Sequence, residues 1–271
     1  MQISPRLLLL FAGVLGLLSL MSQKAAPLPA ESAAFGRAAL AGTALRPAEK
    51  LGQYTKYNFG PLLLQASATV VVGFIGPDYQ RLRVKVLTVD KSGADPALYQ
   101  ITGKTEVAGL VRAFRGTLRL QQVREATPVK QLYASEEGPL PDMAVAGVAV
   151  GRYELTESPA QDHTGIFRGV AVMRWYLDHR HRLHYDDINK MSDSFCNNQF
   201  AGSWTSYATK KTQRCNWGDY RIPNAGDFDT GAGELSPAEK YLTNGWQDYA
   251  AGQNLSVNSA ARRREERTWW K

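Results

Sequence analysis

From about residue 66 onward, apolar side chains recur at every second position, the period of a strand whose successive side chains point to opposite faces. In Arg81 to Val86, Leu82, Val84 and Val86 share one face while Arg81, Arg83 and Lys85 share the other, which predicts a half-buried antiparallel strand. Phe114 to Gln121 and Arg152 to Thr156 alternate in the same way. Ile166 to Leu177 is apolar on both faces except at Arg168 and Arg174, so it reads as a strand covered on both sides. Turn-forming clusters separate the runs at Gly76-Pro77-Asp78, Asp90 to Pro96, Gly138 to Asp142 and Ser158 to Gly165.

The triplet Phe-x-Gly recurs at Phe114/Gly116, Phe167/Gly169 and Phe200/Gly202, each time opening a run with strand character. Phe and Gly then lie on one face, and a glycine inside a strand marks a sharp bend or a close backbone approach. Repeated bends predict a sheet that coils towards closure. The fold class is therefore all-β: an antiparallel curved sheet, a barrel or barrel-like sandwich of about 8–9 strands. The β domain spans 61–250, with two β units split near 124–144 as the alternative. Beyond Trp217 the periodicity stops. Residues 218–235 read as an irregular loop, and Ser236-Pro237-Ala238-Glu239 reads as the start of a short C-terminal helix, with Ser236 as N-cap, ending by Asn244-Gly245.

The ends of the chain differ from this body. Residues 1–24 place Arg6 ahead of an uncharged run from Leu7 to Leu20, the pattern of a secretory signal peptide, with cleavage expected between 24 and 30. That run is shorter than the roughly 20 apolar residues that span a bilayer. Residues 25–60 form an Ala/Pro-rich arm with a short helix expected around Ala33 to Leu45, and 251–271 form a basic tail. The localisation expected is export, to the periplasm or the extracellular space. Charge follows the same division. The 271 residues carry a net +7, of which residues 1–24 contribute +2 and residues 261–271 contribute +3. The nearly neutral body gives nucleic-acid binding no electrostatic basis. Membrane contact would come through an uncleaved leader or the tail from Arg262 to Lys271.

Candidate chemistry is sparse. His163, His179, His181 and His184 lie close in sequence, and His179 and His181 would share a strand face, as metal ligands can. Yet Asp178 to Arg182 reads first as a solvated hairpin turn. Asp227 and Asp229, alternating with Gly231 and Gly233 before Glu234, offer oxygen ligands for calcium, the one cofactor the pattern admits; a loop whose acids bond backbone amides is the competing reading. Cys196 and Cys215 would form a disulfide worth roughly 3 kcal/mol in an exported chain. However, a hairpin turning at Thr209 to Lys211 would place Thr205, not Cys196, opposite Cys215, so paired and free thiols both stay open. Asn197, Asn198, Trp204, Trp217 and Arg221 fall in a stretch dense in amides and aromatics, which suits sugars or another small ligand, while Trp204 and Trp217 also read as barrel core. Asp193, Asp219, Asp227, Asp229 and Glu234 supply the carboxylates a glycoside hydrolase would need. Gly103-Lys104-Thr105 is not a phosphate loop, because Leu98 stands where that motif needs glycine.

The stretches Asn197-Asn198-Gln199-Phe200-x-Gly202-x-Trp204 and Cys215-Asn216-Trp217-Gly218-Asp219-Tyr220-Arg221-Ile222-Pro223, within residues 165–246, resemble segments of uncharacterised exported bacterial proteins. That resemblance implies export and assigns no site residue. The expected function is binding or structural, with a small apolar or glycan ligand. The alternatives are a carboxylate-dependent hydrolase of envelope polysaccharide and an envelope interaction protein that uses its basic aromatic tail.

Overall fold

The computed structural model describes residues 27–42, 44–64, 71–127, 142–253 and 259–271. The expected leader and most of the 138–142 turn lie outside the described residues. Nine strands form one antiparallel sheet: β1 (Val71–Ile75), β2 (Gln80–Lys91), β3 (Leu98–Val107), β4 (Leu110–Glu125), β5 (Val145–Glu157), β6 (Gly165–Leu177), β7 (Leu183–Tyr185), β8 (Asn197–Ser206) and β9 (Thr212–Asp219). Eight of them close into a barrel, because β5 pairs with β6 and β1 pairs with β9, and β7 adds a short extra strand to β6. The sheet is thus continuous, and the alternative of two β units does not describe it. The expected turns at 76–78, 90–96 and 158–165 connect its strands.

The interior is filled by side chains. Tyr99, Leu118, Tyr153, Gly169, Gly202, Cys215 and Ile75 are paired in turn on β3, β4, β5, β6, β8, β9 and β1. Tyr153 reaches over the paired glycines Gly169 and Gly202: a Cβ on either would lie 2.7 or 2.1 Å from its Oη. In two of the three Phe-x-Gly triplets glycine therefore admits a large neighbour, while Gly116 admits the close backbone of Glu154 and Leu155. Phe200 stacks on Trp217 with centroids 4.7 Å apart, and Phe167 meets Trp217 edge-on at 6.1 Å.

The arm is an integral part of the fold. Helix α1 (Ala30–Leu40) begins and ends earlier than expected and lays Phe35, Ala39 and Leu40 against Val148, Val150, Val170 and Val172 on the outer face of β5 and β6. This covering helix is why β6 is apolar on both faces. Helices α2 (Leu51–Tyr54) and α3 (Gly60–Leu64) plug one barrel end, where Tyr54 packs on Trp175 at 4.7 Å and the Phe59 amide donates to Tyr99 Oη at 3.1 Å.

The carboxyl end differs most from expectation. Ser236 does not cap a helix; its amide donates to Asp229 Oδ1 (3.0 Å), and Pro237 bridges Asp229. A single 3-10 turn follows at Glu239–Tyr241, and then come short helices α4 (Gln247–Gln253) and α5 (Ser259–Glu265). The capping box fails because tertiary contacts of the 229–237 loop already use the Ser236 amide. The tail docks along β2. Arg81 and Arg83, placed on a solvent face by alternation alone, are only 7% and 9% exposed. Arg81 lies over Trp246 and Tyr249 and pairs with Glu265 (2.7 Å), while Arg83 lies over Trp269 and Lys85 over Trp270. The aromatic residues expected to meet an envelope partner are thus engaged by the barrel itself. No described helix is long and apolar enough to cross a membrane.

Candidate functional site

The barrel divides the residues singled out in the sequence. Trp217 is core, and Trp204 stands at the end opposite the plug, where its indole N–H donates to Glu157 Oε2 (3.0 Å). Glu157 also accepts from Thr105 Oγ1 and the Gly165 amide, and burial raises its pKa despite these bonds. At the plug end, Asn197 ties the start of β8 to β6 by accepting from the Arg174 amide (2.7 Å) and donating to the Arg174 and Asp186 carbonyls. Asn198 Nδ2 donates to the Leu62 carbonyl and to Asp219 Oδ2, both at 2.9 Å. Asp219 takes a second bond from Tyr185 Oη (2.8 Å), and burial pushes its pKa up to about 7. With Arg221 on the acidic loop after β9, the five residues expected to share one ligand therefore occupy four places.

The acidic loop is held from within. Arg221 pairs with Asp229 (2.5 Å) and donates to the carbonyls of Gly231, Ala232 and Gly233. The other Asp229 oxygen accepts from the Gly231 and Ser236 amides, so this carboxylate organises a turn, as the competing reading had it. Asp227 lies on the surface with Lys240 and Tyr241, apart from Asp229 in its bonding. His179 contacts Asp142 at an exposed turn, His181 adopts φ 58° there, and His184 stacks on Tyr176 and bonds Asp178. Among the described residues no three His, Cys, Asp or Glu side chains are grouped to hold a metal ion. Both cysteines are free. Cys215 faces the core opposite Gly202, not Thr205 as the sequence predicted, because the turn between β8 and β9 is centred between Ala208 and Thr209 rather than on Lys210.

Two of the carboxylates do converge. Asp193 and Glu234 line one outer cleft of about 540 Å³ with Lys190, Met191, Phe195, Tyr220, Arg221, Tyr249 and Gln253. The cleft lies between the loop leading to β8, the loop after β9, and α4. Asp193 Oδ1 would be 2.9 Å from a Cβ on Gly233, so glycine there brings the two loops together. Phe195 meets Tyr220 edge-on at 5.1 Å, and Tyr220 and Met191 stay exposed, at 37% and 84%. No family model, curated protein or solved structure matches the chain. The cleft is therefore read from its own chemistry, which joins aromatic faces and a thioether to two carboxylates and an amide. Such a lining covers apolar ring faces and bonds hydroxyls. Tyr249 and Gln253 escaped the sequence reading because α4 itself was not foreseen, and Lys190 and Met191 carry no periodic signal.

Proposed function

We propose that this is an exported β-barrel protein whose interior is structural and whose outer cleft binds a hydroxyl-rich ligand, a short glycan being the class that fits. The observation that carries the reading is the pairing of exposed Tyr220 and Met191 with Asp193, Glu234 and Gln253 around an open cleft of ligand size. The packed interior supports an external site, since Tyr153, Phe200, Trp217 and Phe167 occupy the centre where a barrel-bound ligand would sit. Export rests on the leader pattern of residues 1–24. A fusion of residues 1–30 to a reporter that stays in the cytoplasm would remove that part.

Titration calorimetry against β-1,4-linked N-acetylglucosamine oligomers and neutral hexose oligomers tests the binding. Binding is expected for at least one series, with Tyr220→Ala weakening it about tenfold through loss of ring contact. Lack of binding at millimolar concentration in both series overturns the reading. A hydrolytic role is the second reading, favoured by the shared cleft of Asp193 and Glu234. It predicts release of reducing ends from those oligomers, abolished in Glu234→Gln.

A further inference from the structure

At the plug end of the barrel, β1 and β2 pair through only three residues, from Gly73 to Ile75, so β2 diverges from β1 beyond Leu82. Behind this divergence lies a crevice of about 30 Å³, lined by Asn198 and Asp219 among Leu63, Val84, Phe200 and Trp217. That is room for an occupant the size of a water molecule or a small ion.

Two groups in its lining are incompletely satisfied. Asp219 is 2% exposed, and its hydrogen-bond donors, Tyr185 Oη and Asn198 Nδ2, are both neutral. Among the described residues no cationic side chain forms an ion pair with it, although a buried carboxylate without a counter-charge carries a desolvation cost of several kcal/mol. Lys85 lines the same crevice, but its ammonium lies over the Trp270 ring, 5.1 Å from the centroid. Asn198, 4% exposed, spends its amide N–H groups on Leu62 and Asp219 and leaves its buried Oδ1 without a partner. An orphaned buried acceptor costs about 1–3 kcal/mol.

The backbone holds Asn198 at a cost of its own. β8 carries one extra residue between the pairs Asn197↔Asp219 and Phe200↔Trp217, and Asn198 within that bulge adopts φ 42°. Bulges re-aim side chains, and left-handed non-glycine residues persist where the surroundings over-determine them.

We propose that the crevice binds a small monovalent cation, an alkali ion or ammonium, between the Asp219 carboxylate and the Asn198 side-chain carbonyl. One positive charge balances one carboxylate. Among the described residues the walls are otherwise largely apolar, and a divalent ion would bring a second charge that no further carboxylate there balances.

The test uses the full chain. Thermal unfolding is followed in sodium, potassium and ammonium chloride against choline chloride at equal ionic strength, and crystals are soaked in rubidium or thallium salts. The expected result is a saturable rise in Tm of a few degrees with at least one small cation. That rise is lost in Asp219→Asn, and an anomalous peak marks the crevice in the wild-type protein. A crevice holding water only, a shift without a peak there, or a shift that survives Asp219→Asn overturns the proposal. The anomalous map decides it even if Asp219→Asn fails to fold.

Discussion

Tyr153 shows how one residue depends on others that the sequence holds far apart. The recurrence of glycine two places after phenylalanine was visible along the chain, and it marked inward positions in bent strands. What stands over Gly169 and Gly202 was not visible, because Tyr153 reaches them from the neighbouring strand β5, over its pairing partner Gly169 and on to Gly202 of β8. Asp219 illustrates the same gap in chemistry: its position in a polar, aromatic stretch was legible, its burial was not. Burial raises its folded pKa to about 7, above the ~3.9 of an unfolded aspartate. Between about pH 4 and 7 the folded state therefore keeps a proton that the unfolded state has lost, and stability falls as pH rises through that window. Asp219→Asn removes this titration. In choline chloride, where no small ion pairs with the carboxylate, the variant's stability relative to wild type should rise by about 3 kcal/mol from pH 4 to pH 7. Urea unfolding across that range measures it, and parallel pH profiles would show that Asp219 is ionised in the folded protein.

At the scale of elements, alternation located the strands well and misjudged what covers them. Arg81, Arg83 and Lys85 occupy the polar positions of a strand, and nothing within β2 reveals that a segment 184 residues away in sequence lies upon it. The capping box at Ser236 fails for a local reason instead, since its amide is taken by Asp229 within the same loop. In the tail, two neighbouring glutamates separate a buried pair from an exposed one. Glu265 meets Arg81, whose side chain is 8% exposed, while Glu266 meets Arg262, with side chains 47% and 52% exposed. Removing one partner of a buried pair strands the other, whereas an exposed pair contributes little. Glu265→Ala should therefore lower stability by about 3 kcal/mol and Glu266→Ala by less than about 0.5 kcal/mol. Denaturant midpoints of the two variants test the docking of the tail, and equal effects would mean that it lies free in solution.

For the whole molecule, closure is the property that periodicity only hinted at, since bent strands show curvature but not which edges meet. The meeting edges are β1 and β9, and among the described residues β1 is the shortest strand of the barrel. β1 pairs through three residues with β2 and five with β9, whereas β5 and β6 pair through twelve. A seam so short needs support from outside the sheet, and the carboxyl-terminal region supplies it. Phe74 on the outer face of β1 packs with Tyr79 and Phe228, and Trp246 packs on Phe228 at 4.6 Å while donating its indole N–H to the Tyr79 carbonyl at 2.7 Å. The irregular end of the chain is then a clamp on the barrel seam, and it stands on the same side as α4, one wall of the outer cleft. If so, Trp246→Ala should accelerate hydrogen exchange in Val71–Ile75 and Thr212–Asp219 at least tenfold more than in β5 and β6, because the seam opens as a unit of its own. Exchange measured by mass spectrometry over these peptides separates the two cases. Equal acceleration everywhere would mean that the barrel opens only by global unfolding, with β1 and β9 held by the sheet itself.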